Sequence, residues 1–482
     1  MSKEKSATPR KFGMLDNISY AAGDFGCNMS FALKGTISIF WTQYMGLSPV
    51  LMAALLLVVQ VWDAINDPLV GAWFDADHKK RKMNKFLSYI LIGSIGLIIS
   101  GALVFLPLPN VSSLAKCILF VAGYVLWDAF YTVANVPYGT MLSAITDNAG
   151  ERASLSTWRG LGSVIANILT TVLIPVLCYN AANELLGERV FIAALIMGVI
   201  GFGCFIFMIK TTVIRVDDDF KASEEKPKFN VFKAVANFFK NRAAVGVTLA
   251  VVAMFLGMQS ASAAVTVLFQ SYFKNAQISG VVSAFAMIPF IAFAPFAKKL
   301  ANKYGKKEIT VVGGVVSAIG SILMLILPIK PDGTGLILYT VCSFLNSMGL
   351  GILSCLCYSM VADAIEYNHW KFDSYDDGTT YSIHSFFRKL AQGVGPSAVL
   401  VIMGVLGYNE ANAGNQTAEV ALNMRYLVPA LYLFCAVIVV VAVLFIYNID
   451  KAKLDEMNEA LAEKAKAAEK KREFEKQYEY TE

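Results

Sequence analysis

Runs of about twenty apolar residues, separated by short polar stretches, recur from Asn17 to Tyr447, each long enough to cross a hydrocarbon core. The pattern predicts spans at 17–44, 49–74, 86–107, 115–142, 156–180, 190–210, 244–272, 279–300, 309–328, 334–362, 379–407 and 424–448. Twelve is an even number, so both termini are expected on one side of the membrane. A hydrophilic segment, 211–242, carries Asp217-Asp218-Asp219 and Lys226-Pro227-Lys228 and divides the spans into two sets of six. The expected organisation is therefore an all-α membrane protein. It has a polar N-terminus (1–16), a six-helix bundle (17–210), the central loop (211–242), a second bundle (243–448) and a charged tail (449–482).

Composition sharpens this picture. Hydrophobic residues make up 56% of the 482 positions and charged residues only 16%, against about a quarter in soluble domains. The net charge of +5 is no nucleic-acid footprint, because the basic residues alternate between loops. The N-terminus, every second loop from 75–85 onwards and the tail hold about thirty of the 41 Lys and Arg, and the intervening loops about five. The positive-inside rule then places both termini, the central loop and the tail in the cytoplasm. The first apolar run is too long for a signal-peptide core, so it is expected to stay. Eight cysteines stand singly apart from Cys355 and Cys357, without zinc-site spacing, and read as small packing residues.

An internal repeat supports the two halves. Gly71-Ala72-Trp73-Phe74-Asp75, followed by His78 and Lys79-Lys80-Arg81-Lys82, closes the second span. Lys298-Lys299, Asn302-Lys303 and Gly305-Lys306-Lys307 occupy the matching slot of the second half. The first stretch resembles the cytoplasmic signature of the major facilitator superfamily, with Gly71, Asp75 and Arg81 as gating residues, and the second reads as a degraded copy. The tail after Asp450, rich in Ala, Glu and Lys, reads as a solvated helix.

Ionisable side chains inside spans are costly and usually face a cavity. Here they are Asp24, Asp63, Asp67 and Asp128, with Lys34, Arg159, Arg388 and Lys389. Asp63 and Asp67 lie four apart, on one helix face about 6 Å from each other. Two such carboxylates need a cation between them, a shared proton or a basic partner. Oxygen ligands suit a hard ion, which makes the pair a candidate Na+ or proton site; the bland alternative is a structural salt bridge to Arg159 or Lys389. Asp128, Thr132 and Asn135 form a second polar stripe at i, i+4 and i+7, and Asp24 with Asn28 a third. Such stripes also serve simply to join helices. Trp127, Tyr131 and Tyr138 are suited to stacking on sugar rings, although membrane aromatics more often pack or anchor.

Tyr20-Ala21-Ala22-Gly23-Asp24, Trp62-Asp63-Ala64-Ile65-Asn66-Asp67-Pro68, Asn135-Val136-Pro137-Tyr138-Gly139, Glu151-Arg152 with Arg159, Asp363-Ala364-Ile365-Glu366-Tyr367 and the stretch from Tyr381 through Lys389 to Tyr408 carry a family likeness. Together they resemble the glycoside–pentoside–hexuronide:cation symporters, the group containing the melibiose permease, over nearly the whole chain except the tail. The resemblance implies alternating-access symport of a sugar with Na+ or H+, without a cofactor, by a monomer in the cell membrane. It implies cation binding at Asp63, Asn66, Asp67 and Thr132, and sugar binding at Asn28, Tyr131, Asn135, Arg159 and Lys389. Asp24, Asp128 and Lys34 are added as coupling or substrate candidates. Asn28 and Asn135 stand where the melibiose permease has carboxylates, and Gly139 where it has tryptophan, which argues against galactosides. The Asn135 motif is closer to the pentoside and hexuronide branches.

Other classes fare worse. There is no Gly-x-x-x-x-Gly-Lys-Ser/Thr for a nucleotide-driven pump and no His-Glu-x-x-His for a membrane metalloenzyme. Of three histidines, His78 and His369 are expected in cytoplasmic loops and His384 in packing. A channel or receptor fits the topology alone, and a cation-coupled lysolipid symporter of the same fold is the main alternative.

Overall fold

The computed structural model describes residues 10–77, 83–146, 148–215, 236, 238–372, 377–461 and 463, although some side chains inside these helices, among them Asp67 and Asp75, are not described. Among the described residues there are twelve long helices and, apart from one isolated bridge between Tyr179 and Leu185, no β structure. In lipid only intrahelical bonds can satisfy every backbone group of a lone span. The helices of the first half are α1 (Met14–Phe31), α2 (Lys34–Ile39), α3 (Pro49–Ala76), α4 (Lys85–Val104), α5 (Ser113–Thr140), the short α6 (Leu142–Ile145), α7 (Ala149–Cys178) and α8 (Gly187–Thr211). Those of the second half are α9 (Arg242–Ser271), α10 (Ile278–Tyr304), α11 (Lys306–Ile326), α12 (Gly333–Phe372), α13 (Asp377–Val405) and α14 (Ala418–Val441).

Local chemistry starts several of these where the apolar pattern begins. Ser48 accepts from Leu51 N, with Pro49 in the first turn of α3, and Ser112 accepts from Ala115 N ahead of α5. Asn148 caps α7 by accepting from Gly150 N and Glu151 N. Each supplies an acceptor that the first helical turn lacks. Eight of the helices are apolar and long enough to cross a membrane by composition alone. Large apolar side chains such as Leu114, Ile326 and Val405 point outward, at 71%, 70% and 82% exposure, which is the surface of a lipid-facing protein.

Two departures from the sequence pattern matter. The first span, expected as one helix over 17–44, breaks at Ala32–Leu33 and resumes as α2, then as a π-helical turn at Phe40–Tyr44. The tail also does not behave as a solvated helix along its first turns. Residues 451–461 are helical, Met457 is completely buried, and Ile449, Leu454 and Leu461 pack against the core around Tyr367, Val443 and Tyr447. Most of the central segment, 216–235, and the tail beyond 463 lie outside the described residues.

The chain forms two compact units. The first comprises Met1–Glu225 with Gln259–Ala284 and Pro396–Arg425; the second comprises Lys226–Met258, Phe285–Gly395 and Tyr426–Glu482. The units do not follow chain order: parts of α9, α10, α13 and α14 belong with the first. Within the first unit α1 packs against α7 and α8, α4 against α5 and α8, and α3 against α5. Within the second, α11 and α12 meet so closely that a Cβ on Gly349 would fall 2.2 Å from Gly313 O. Small residues let helices approach in this way.

Candidate functional site

Three polar groups occupy the interior of the first unit. The first joins α1 to α7. A Cβ on Gly162 would lie 2.3 Å from Ala21 O, so only glycine lets the helices meet there. That approach brings Arg159, one turn earlier, to Asp24, with Nε donating to Oδ1 at 2.8 Å. Asn28 Nδ2 donates to Asp24 Oδ2 at 3.0 Å and to Asp24 O at 2.8 Å. Asn167 Nδ2 in turn donates to Asn28 Oδ1 at 3.1 Å and to Ser163 O at 2.8 Å. The guanidinium also lies over the Tyr138 ring at 4.9 Å.

The second group joins α3 to α5. Asn66 Nδ2 lies 3.0 Å from Asp128 Oδ2, 3.2 Å from Asp128 O and 2.9 Å from Thr132 Oγ1, and all three residues are buried. A buried carboxylate needs such donors to offset lost hydration. Asn135, a turn further along α5, accepts a weak bond from Cys27 Sγ at 3.8 Å and so faces α1.

The third group surrounds Asp63. Gln60 Nε2 donates to Asp63 Oδ2 at 2.9 Å, and Lys34 Nζ stands 3.7 Å from the same oxygen. The ammonium also lies 5.3 Å from the Phe31 ring and 5.6 Å from that of Tyr124. Tyr131 extends this aromatic wall, with ring centroids 5.7 Å from Phe31 and 6.3 Å from Trp127.

Of the cation candidates, Asn66 meets Thr132, together with Asp128, while Asp63 has separate partners; of the sugar candidates, Asn28 and Arg159 both bond Asp24. The basic partners differ from the alternative weighed there: Asp63 meets Lys34, whereas Arg159 is held by Asp24. The Asp67 side chain lies outside the description, as do Asp75 and Arg81 of the gating signature; Gly71 sits within α3. Of the three aromatics suited to sugar stacking, two serve the commoner role of packing. Tyr138 is fully buried, stacks on Tyr20 at 4.6 Å and exchanges hydroxyl-to-carbonyl bonds with it, and Trp127 is buried beside Tyr124.

Lys389 belongs to α13 of the second unit, where its neighbour Arg388 lies over the Phe255 ring at 5.6 Å. His384 is buried as expected for packing, with Nδ1 2.9 Å from Thr248 Oγ1. Sequence reading missed Gln60, Asn167 and Ser163, which complete the polar groups; their i−3 and i+4 positions relative to Asp63 and Ser163 are the signal that existed. It also missed the ion pair of Lys306 with Asp363, at 2.6 and 2.7 Å, which joins the degraded signature to α12. Among the described residues no cluster of three or more His, Cys, Asp or Glu could hold a metal ion. What the interior offers is ion pairs, amides and hydroxyls lodged between helices, an arrangement suited to binding polar solutes and small ions.

These features are those of a polytopic α-helical membrane protein with a polar interior, and its family makes it a transporter of the major facilitator fold rather than an enzyme. The chain belongs to the MFS/sugar transport protein family, whose profile matches residues 19–451, and the resemblance to glycoside–pentoside–hexuronide symporters is borne out at that level. It is 29% identical over 446 residues to the uncharacterized symporter YjmB of Bacillus subtilis (strain 168), spanning 90% of this chain and 92% of that one. To the isoprimeverose transporter of Lactiplantibacillus pentosus it is 27% identical over 440 residues, spanning 90% and 89%. Among solved structures the D-xylose–proton symporter superposes with a TM-score of 0.59 at 14% identity, over 90% of this chain and 96% of that one, which speaks for the fold alone.

Proposed function

We propose that the chain is a cation-coupled symporter that brings a glycoside, pentoside or hexuronide into the cell together with Na+ or H+ by alternating access. Asp63, Asn66, Asp67 and Thr132 bind the cation, with Asp128 holding Asn66 in place. Asn28, Tyr131, Asn135 and Arg159 of the first unit bind the sugar, with Asp24 fixing Arg159 and Asn28; Lys389 has a substrate role on the resemblance alone. The protein works as a monomer in the cell membrane with both termini cytoplasmic.

The observation that carries this reading is the polar seam of α3 and α5: one buried carboxylate, one amide and one hydroxyl converge at Asn66, and a second carboxylate, Asp63, stands three residues earlier on α3. Keeping such groups in a membrane interior costs several kcal/mol unless they are partnered or used, so their concentration at one level marks a pathway. The isoprimeverose transporter among the relatives supports a glycoside as substrate.

The test is uptake of labelled neutral glycosides, pentosides and hexuronides into proteoliposomes under an imposed Na+ or pH gradient. At least one sugar should accumulate above equilibrium and discharge when an ionophore collapses the gradient. Uptake indifferent to both gradients, or uptake of lysolipid and no sugar, contradicts the proposal.

A further inference from the structure

We infer that Lys34 is a tethered rival of the coupling cation: its ammonium holds Asp63 while no ion is bound and leaves that carboxylate when an ion takes it. The inference rests on the cation-site reading above and adds what sets the affinity of that site.

Lys34 is an unexpected residue where it stands. It is the first residue of α2, just past the break at Ala32–Leu33. A helix N-terminus carries partial positive charge and disfavours a cation, and the surrounding span disfavours any charge. Asp63 is the acid on the other side of that balance, 3.7 Å away. At this separation the lysine supplies charge, while the short bond to the same Oδ2 comes from Gln60 at 2.9 Å. Lys34 is therefore an ionic neighbour of the carboxylate that is not locked to it by a short bond.

Two further features make the pair exchangeable. Side-chain exposure of 20% for Lys34 and 14% for Asp63 means that neither group is sealed by protein. The rings of Phe31 and Tyr124 already lie 5.3 and 5.6 Å from the ammonium beside Asp63, so they go on holding it when an ion takes the carboxylate. Aromatic faces hold ammonium groups most strongly where water is scarce. A second positive charge arriving at Asp63 repels the first, so ion binding and the lysine contact exclude one another. Asn28 lies on the other side of the same break, and its carbonyl accepts from Ala32 N at 3.0 Å, so release of Lys34 acts at a joint whose far side carries the sugar network.

The experiment is titration of purified protein in lipid nanodiscs with Na+, Li+ and, separately, protons, read by the fluorescence of Trp62 beside Asp63 and by equilibrium binding of the transported sugar. Lys34→Met should lower the half-saturating cation concentration by about tenfold, and Lys34→Gln, included in case the methionine variant does not fold, should act in the same direction. Lys34→Arg should stay within about twofold of wild type. A wild type blind to Na+ whose Lys34→Met variant responds to it supports the inference in its extreme form. Equal half-saturation in wild type and both neutral variants overturns it while leaving the cation site intact. A cation response that survives Asp63→Asn overturns instead the site reading on which the inference rests.

Discussion

Each unit of this transporter contains an acid–lysine pair within its helices, and the two pairs are built differently. In the second unit Lys306 Nζ meets both oxygens of Asp363 at 2.6 and 2.7 Å, joining the start of α11 to the latter part of α12. In the first unit Lys34 stands 3.7 Å from one oxygen of Asp63, which also receives the Gln60 amide, and two aromatic rings flank the ammonium. The lysines are about equally exposed, at 18% and 20%, but Asp363 is the more enclosed acid, at 7% against 14%. Burial of the lysine therefore does not separate the pairs; geometry does. A two-oxygen contact at hydrogen-bond length fixes two helices, whereas a looser contact to one oxygen, with rings already flanking the ammonium, can be replaced by a visiting ion.

The comparison can be broken most severely at the tight pair. Lys306→Met leaves Asp363 buried without its cation and should destabilise the protein by about 3–5 kcal/mol, seen as a large drop in the detergent unfolding temperature. Lys34→Met should cost far less, on the order of 1 kcal/mol in the same assay, because Gln60 still serves Asp63. Equal losses would erase the distinction. Next in size is the docked tail: Met457→Ala removes a fully buried side chain from the second-unit core and should cost about 2–4 kcal/mol, whereas Glu459→Ala, on the exposed side, should be silent. The smallest effect is expected at Asn135, whose only described polar contact is the long one to Cys27. Asn135→Ala should raise the half-saturating sugar concentration by roughly threefold to tenfold without changing unfolding, and an unchanged value removes Asn135 from the sugar site.

Much of the architecture was legible because lipid leaves few alternatives for a long apolar run. The spans expected at 86–107, 115–142 and 244–272 appear as Lys85–Val104, Ser113–Thr140 and Arg242–Ser271. The break at Ala32–Leu33 was not legible, since no proline marks it. The nearest local cue is Gly35, where a Cβ would sit 2.9 Å from Ser262 Oγ, a contact made by a distant part of the chain. The tail shows the same limit: its Glu–Lys spacing describes an exposed face correctly, while burial of Met457 depends on a surface presented by α12 and the end of α14.

The site divides along similar lines. Helical periodicity was enough to group Asp24 with Asn28 and Asp128 with Thr132, because those neighbours lie on single helices. Which base meets which acid is decided between helices. Arg159 reaches Asp24 because Gly162 admits α7 against Ala21, and Lys34 reaches Asp63 because α1 breaks just before it. Tyr138 and Trp127 have ring chemistry suited to sugars, but Tyr138 stacks on Tyr20 of α1 and Trp127 meets Tyr124 edge-on.

The claim on which the whole account depends is that an ion travels with the sugar by way of Asp63. The most direct measurement is sugar-evoked ion flux: proteoliposomes without any imposed gradient are given the transported sugar, and entry of 22Na+ or protons is recorded. The account predicts a sugar-dependent influx in wild type, retained in Asn135→Ala at saturating sugar and absent in Asp63→Asn despite preserved sugar binding. Sugar entry unaccompanied by either ion, or an undiminished influx in Asp63→Asn, would contradict it.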